Sequence, residues 1–273
     1  MNETSGRLSV IEREAQSTLN SLEIRKHGRV VWTLAVMLSG VGTQHAFAQG
    51  GPPLVGDDPE TPGPGTWEID LAVTMSHGPG ETDWALPDVD INYGWGDRIQ
   101  LKFDTPYALT HDHGVSSGLG PSLFGAKWRF VGDSESGFAM SIYPQWMSHL
   151  VRSSVDRGLA DPGSQWFVPI EMEIKLGEGQ LDLEAGRRLE SGGPRTWEVG
   201  LIGAHDCVRG LECLVELRET GISDQSKTLV NLGTRWKLSS ALSLLTSLGH
   251  EFGPARADPR NIVLYVGAQV RNR

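Results

Sequence analysis

Apolar and polar residues alternate along residues 65–76, GTWEIDLAVTMS. Trp67, Ile69 and Leu71 have one parity, whereas Glu68 and Asp70 have the other. Side chains of a β-strand point alternately to its two faces, so the stretch predicts a strand with one apolar face and one ionic face.

The same alternation returns in about twelve segments of about ten residues, each followed by a turn signal. The predicted strands are 66–76, 85–93, 97–107, 121–131, 137–147, 164–176, 179–188, 195–205, 211–220, 227–237, 240–250 and 261–271. The connections between them alternate between short, as at 94–96 and 177–178, and long, as at 108–120 and 148–163. Outer-membrane barrels have short turns on the periplasmic rim and longer loops on the outer rim.

These patterns predict an all-β protein, a single antiparallel transmembrane β-barrel of about 12 strands with up-and-down topology. Its apolar parity would face lipid and its charged parity a wet lumen, because hydrocarbon cannot solvate carboxylates. Several tryptophans near predicted strand ends fit an interfacial girdle: Trp67, Trp84, Trp95, Trp128, Trp146, Trp166 and Trp236. The alternative is a secreted β-sandwich or lipocalin-like barrel, in which the apolar parity faces inward.

The start of the chain predicts export. Basic residues Arg25, Lys26 and Arg29 precede the apolar run VVWTLAVMLSGVG, and Ala46 and Ala48 follow it. This order is typical of a secretory signal peptide, so we assign residues 1–48 to a signal peptide with a long n-region, cut after Ala48. An uncleaved anchor helix is the alternative. Residues 49–65 then form an extended, Pro- and Gly-rich periplasmic lead-in, and residues 66–273 the outer-membrane barrel.

The net charge of the chain restricts the classes of partner that it is expected to bind. The formal net charge of -10 argues against nucleic acid, because binding to phosphates needs a basic surface. The expected partners are outer-membrane lipid and a small-molecule solute, and the expected location is a Gram-negative outer membrane. No cofactor and no enzymatic activity are expected.

Charged residues of the inward parity are the candidate lumen-lining residues. They are Glu68, Asp70, Asp88, Asp90, Lys102, Asp104, Lys127, Arg129, Glu171, Glu173, Lys175, Asp182, Glu184, Arg188, Glu216, Arg218 and Arg235. They either line a permeation path, since rings of charge set pore selectivity, or form ion-pair ladders that fill the lumen.

Other candidate chemistry is sparse. GVSSG at 114–118 matches the nucleophile elbow around Ser116, but that motif needs a strand before it and a helix after it, and a strand is predicted to follow. His111 and His113 lack a firm third metal ligand, so no metal site is predicted. Cys207 and Cys213 are candidates for a disulfide in an oxidising periplasm, with two reduced thiols as the alternative.

The chain resembles an outer-membrane family described by the MetA pathway of phenol degradation and usually labelled a transporter. The matching stretches are GPPLVGDDPETPGPGTWEIDLA at 51–72, LPDVDINYGWGDRIQLKFDTPYAL at 86–109, GLGPSLFGAKWRF at 118–130, RGLADPGSQWFVPI at 157–170 and NLGTRWKL at 231–238. The resemblance implies a single-chain barrel that passes small, often aromatic or hydrophobic molecules. It also implies the barrel-assembly machinery as a partner during biogenesis, although the last strand ends near Val270 and a basic tail rather than on an aromatic residue.

The predicted function is therefore an outer-membrane channel or transporter for passive passage of small molecules. One alternative is a structural or sensory outer-membrane barrel with a filled lumen. A second is an outer-membrane lipid hydrolase, which would need a serine and a histidine on one face of the barrel.

Overall fold

A computed structural model describes residues 51–112, 114–133, 135–193, 195–222, 225–254 and 259–272. The predicted signal peptide at 1–48 and His113 lie outside the described residues. The described chain forms fourteen strands and one short helix. Their bounds are β1 Trp67–Gly78, β2 Glu81–Trp95, β3 Ile99–Asp112, β4 Gly114–Leu119, β5 Pro121–Asp133, β6 Phe138–Ile142, β7 Gln145–His149, α1 Arg152–Asp156, β8 Ser164–Leu176, β9 Gly179–Glu190, β10 Arg195–Val208, β11 Leu211–Ile222, β12 Gln225–Lys237, β13 Leu242–Phe252 and β14 Ile262–Arg271.

The strands close into a single antiparallel barrel with up-and-down order. Most strands pair with the next strand of the chain, and β1 pairs with β14 to close the wall. At two positions in the wall, the strand is divided into two consecutive segments. β4 and β5 both pair with β3, and β6 and β7 both pair with β5 and β8. The fourteen segments therefore make a barrel of twelve strand positions, which confirms the predicted fold class.

The two faces of the wall differ as the alternation predicts. In β8, Trp166 and Ile170 are 48% and 49% exposed on the outer face, whereas Glu171 and Glu173 are 0% exposed on the inner face. The large exposed hydrophobic residues of the other strands likewise share the outward parity, among them Leu71, Leu201 and Leu232. A soluble sandwich would show the reverse arrangement, so the apolar exterior contradicts that alternative.

Aromatic residues gather near both ends of the strands. At the short-turn rim, Trp67, Trp95 and Trp236 are exposed on the outer face. At the long-loop rim, Trp146 of β7 lies directly opposite Trp166 of β8. Amphipathic rings at both rims are the arrangement found at the interfaces of membrane barrels.

The structure differs from the predicted elements mainly at the long-loop rim. β2 begins at Glu81 rather than 85, and β3 runs to Asp112 and turns back into β4, so much of the predicted loop 108–120 is a hairpin. These extensions continue the backbone hydrogen-bond ladder beyond the apolar pattern from which strand ends were predicted. The predicted loop 148–163 contains α1. No helix in the described ranges has the length and hydropathy needed to cross a membrane.

Candidate functional site

The candidate lumen-lining residues lie on the inward parity of the wall. Twelve of them are buried: Glu68, Asp70, Asp90, Lys127, Arg129, Glu171, Glu173, Asp182, Glu184, Glu216, Arg218 and Arg235. The remaining five are of intermediate exposure: Asp88, Lys102, Asp104, Lys175 and Arg188. Charges of both signs therefore crowd the interior of the barrel.

Arg218 of β11 is the centre of the densest ion-pair network. Its guanidinium contacts carboxylates of Glu184 at 2.6 Å, Glu198 at 3.0 Å and Glu216 at 3.0 Å. All four side chains are at most 8% exposed. Arg188 of β9 reaches the same Glu198 at 2.7 Å from a more exposed position. Buried charges need partners of this kind because water no longer solvates them.

Residues 51–63, which we call the inner segment, lie against these inward-facing side chains. The backbone N–H groups of Val55 and Gly56 donate to the two carboxylate oxygens of Glu216 at 3.0 and 2.8 Å. The backbone N–H of Asp57 donates to Glu184 at 3.3 Å. The sequence predicts a periplasmic lead-in at 49–65, whereas the structure places most of it inside the barrel.

Polar groups of β12 and β13 hold the beginning of the inner segment. The Arg235 guanidinium donates to the backbone oxygen of Pro52 at 3.0 Å, and the Ser247 hydroxyl donates to that of Pro53 at 2.7 Å. Proline carbonyls have no ladder partner here, so these side chains replace the strand neighbours that the segment lacks.

An apolar contact fixes the same part of the inner segment. Leu54 is 7% exposed and packs with Ile202, Ala204 and Leu214, which point inward from β10 and β11. Gly56 lies two residues after Leu54 in the inner segment. A Cβ atom added to Gly56 would come within 2.7 Å of Arg218 and 2.8 Å of Ile202. The close fit explains why glycine occupies this position.

The end of the inner segment crosses to β5 and the short-turn rim. Asp57 contacts the Lys127 ammonium at 3.0 Å, and the same ammonium donates to the backbone oxygen of Asp58. Glu60 pairs with Arg129 at 2.5 Å. The inner segment thus joins the β12–β13 wall to the β5 wall and occupies much of the lumen between them.

The remaining wall, β1 to β3, carries carboxylates in a different setting. In the strand register Asp70 lies opposite Asp90, and Asp90 lies opposite Asp104. The Lys102 ammonium pairs with Asp90 at 2.6 Å. Within the described residues no hydrogen bond reaches either carboxylate oxygen of Asp70 or the Oδ1 atom of Asp88.

A cleft of about 470 Å³ opens at the long-loop rim. It is lined by Glu81, Asp83 and Thr110 from the β2–β3 side and by Met147 and His149 from β7, with the segment 158–163 forming another side. The loop that carries α1 is tied down by its own contacts: the Ser154 hydroxyl donates to the backbone oxygen of Leu119 at 2.5 Å, and Arg157 donates to that of Ser117 at 2.7 Å. The cleft volume is in the range of small-molecule sites.

The other chemical candidates do not form a reactive site. Ser116 lies in β4 and is followed by β5, so the strand–turn–helix of a nucleophile elbow is not formed there. His111 is exposed on the long-loop rim. In the described ranges no group of three His, Cys, Asp or Glu residues could hold a metal ion. Cys207 and Cys213 form a disulfide with Cα atoms 5.8 Å apart, at the short turn between β10 and β11.

Sequence reasoning missed the acidic residues of the inner segment and underrated two wall acids. Asp57, Asp58 and Glu60 fall in the predicted lead-in, yet Lys127 pairs with Asp57 and Arg129 pairs with Glu60. Two further wall acids are partners of the candidate arginines: Glu212 pairs with Arg235 at 2.6 Å, and Glu198 pairs with Arg188 and Arg218. Glu212 alternates in phase with Glu216 and Arg218 of the same strand, and Glu198 lies between the apolar residues Trp197 and Val199, so the alternation predicts that both face inward.

No family model and no curated protein matches the chain. Among solved structures, an outer-membrane channel from Pseudomonas putida is similar over 80% of this chain and 100% of its own, with a TM-score of 0.65 and 15% identity. The NanC porin is similar over 75% of this chain and 100% of its own (TM-score 0.56, 4% identity), and the KdgM porin over 74% and 98% (TM-score 0.55, 10% identity). At these identities the likeness concerns the fold alone: the chain has the barrel fold of outer-membrane channels and porins.

Proposed function

We propose that this protein is an outer-membrane channel for passive passage of small molecules. The observation that carries the proposal is the combination of an apolar outer face with a charged, cleft-bearing interior, since lipid surrounds the first and water fills the second. The barrel fold shared with channels and porins supports the same function.

The proposed route begins at the cleft on the long-loop rim and continues past the inner segment. The apolar part of the cleft, which includes Met147 and Leu159, suits a solute with a hydrophobic or aromatic body. This agrees with the solutes implied by the sequence resemblance to the phenol-degradation family. We further propose that residues 1–48 are removed on export and that the barrel-assembly machinery inserts the chain.

The inner segment favours a second candidate, a structural or sensory barrel with a filled lumen. The two functions differ in solute flux. Purified protein in planar bilayers is expected to give single-channel current steps, and proteoliposomes are expected to swell in small solutes. Absence of both steps and swelling would refute the channel function and leave the filled barrel.

The membrane position has its own test. We expect Leu232→Arg, on the outer face at mid-strand, to lower the free energy of unfolding by about 2 to 4 kcal/mol, because arginine is costly at the bilayer midplane. The matched control is Leu242→Arg at the start of β13 on the short-turn rim, where the expected cost is about 0 to 1 kcal/mol. Urea unfolding in lipid vesicles measures both, and equal costs at the two depths would contradict insertion.

A further inference from the structure

We propose that the channel selects cationic solutes, which follow inward carboxylates on β1, β2 and β3. This inference deepens the proposed function by naming the charge class of the solute. The carboxylates, which we call the acidic wall, are Asp70, Glu81, Asp83, Asp88, Asp90 and Asp104.

The acidic wall runs from the outer cleft to the middle of the barrel. Glu81 and Asp83 line the cleft at the beginning of β2. Asp88 and Asp90 follow on the inward face of the same strand, after a bulge that separates Ala85 from Asp88. A solute entering through the cleft therefore meets one carboxylate after another along a single strand.

The middle of the acidic wall places like charges side by side. Asp70, Asp90 and Asp104 occupy one row across three hydrogen-bonded strands. Directly opposite residues in an antiparallel pair have Cβ atoms about 5 Å apart, and like charges there repel. The Lys102 ammonium reaches this row from the next inward row, where Lys102 lies opposite Asn92, and contacts Asp90.

The carboxylate of Asp70 is the independent sign of a ligand. Asp70 is 1% exposed, and within the described ranges neither of its oxygens accepts a hydrogen bond. No ion pair with a described residue reaches Asp70, Asp88 or Asp104. A buried carboxylate without a partner is costly, and a passing or bound cation would supply the missing charge.

The network around Arg218 provides the contrast within the same barrel. There the acids Glu184, Glu198 and Glu216 share one guanidinium, so their charge is already compensated. At the outer end of the acidic wall, Arg260 contacts Glu81 at 2.9 Å and Asp83 at 3.7 Å and compensates part of the charge. Along the acidic wall, the acids without an ion pair to a described residue are therefore the deeper ones, Asp70, Asp88 and Asp104.

The test is a reversal potential in a KCl gradient across planar bilayers. Because acidic clefts raise the local cation concentration about tenfold or more, we expect potassium to be about tenfold more permeant than chloride. The double variant Asp70→Asn/Asp88→Asn is expected to lose more than half of this preference. The control, Glu135→Gln combined with Glu178→Gln, removes the same charge at the short turns between β5 and β6 and between β8 and β9, and is expected to keep the preference.

Heat-modifiable gel migration verifies that each variant forms a barrel before it is measured. A preference for chloride, no preference, or a preference that the double variant retains would overturn the proposal.

A titration of the detergent-purified protein with spermidine, monitored by calorimetry, tests the cation site independently of the channel function. If the wild type does not conduct, the channel function fails. Spermidine binding that the double variant loses then still supports a cation site on the acidic wall, whereas no binding, or binding that the double variant keeps, refutes it.

Discussion

Deleting residues 51–61 from the exported chain is expected to raise the single-channel conductance several-fold. These residues contact inward side chains from β5 to β13, so their removal should free the space that they occupy in the lumen. The wall should persist without them, because the strands are held by their own hydrogen-bond ladder and the closing pair β1–β14. Planar-bilayer recordings of the deletion variant and the wild type measure the change.

Two single substitutions give this prediction a matched control. Leu54→Asp places a charge in the apolar contact with Ile202, Ala204 and Leu214 and should release the inner segment. Val55→Asp introduces the same side chain one residue later at a position that is 55% exposed, and should leave the conductance nearly unchanged. Equal conductance of all four proteins would show that the inner segment does not limit flow.

Replacing Arg218 by methionine is expected to give the largest loss of stability of any single substitution considered. The change leaves three nearly buried carboxylates, those of Glu184, Glu198 and Glu216, without their shared cation. Removing one partner of a buried ion pair typically costs about 3 to 5 kcal/mol. Urea titration followed by tryptophan fluorescence measures the free energy of unfolding.

Arg188→Met is the control for this substitution. Arg188 contacts Glu198 from a side chain that is 29% exposed, so water compensates its loss and the expected cost is under about 1 kcal/mol. Adding Glu184→Gln and Glu216→Gln to the Arg218 variant should restore part of the lost stability. If the arginine variants are equally stable, the Arg218 network is not a stabilising centre.

The alternation of residue types was sufficient to predict the wall. In β8 the predicted segment 164–176 coincides with the observed strand, because every outward residue from Trp166 to Ile174 is apolar and the inward acids leave no ambiguity of phase. A one-residue shift would place Glu171 and Glu173 in lipid, which hydrocarbon does not permit. The solvent on each side thus determines the register of the pattern.

The inner segment was not predictable in the same way. Its contacts join residues far apart in the chain, such as Glu60 with Arg129, and no periodicity encodes such a pair. The register gives a clue in retrospect: Ser141 lies opposite Arg129 and offers no charge to it. A cation without an acid among its strand neighbours indicates a partner from outside the wall.

The alternation of apolar and polar residues also did not predict the cleft at the long-loop rim. Beyond the membrane both faces of a strand meet water, so β2 and β3 extend past the predicted ends without an alternating signal. The position of α1 depends on single hydrogen bonds from Ser154 and Arg157 to backbone oxygens of β4. Such contacts are specific to the folded loop.

The pairing of β1 with β14 constrains the order of events when the protein is made. Because β14 completes the wall by pairing with β1, the barrel cannot close until this C-terminal strand has joined the sheet. The inner segment precedes every strand of the described residues and is therefore available throughout, so the forming sheet can curl around it. When folding occurs in this order, the charged inner segment does not have to enter a barrel that has already closed.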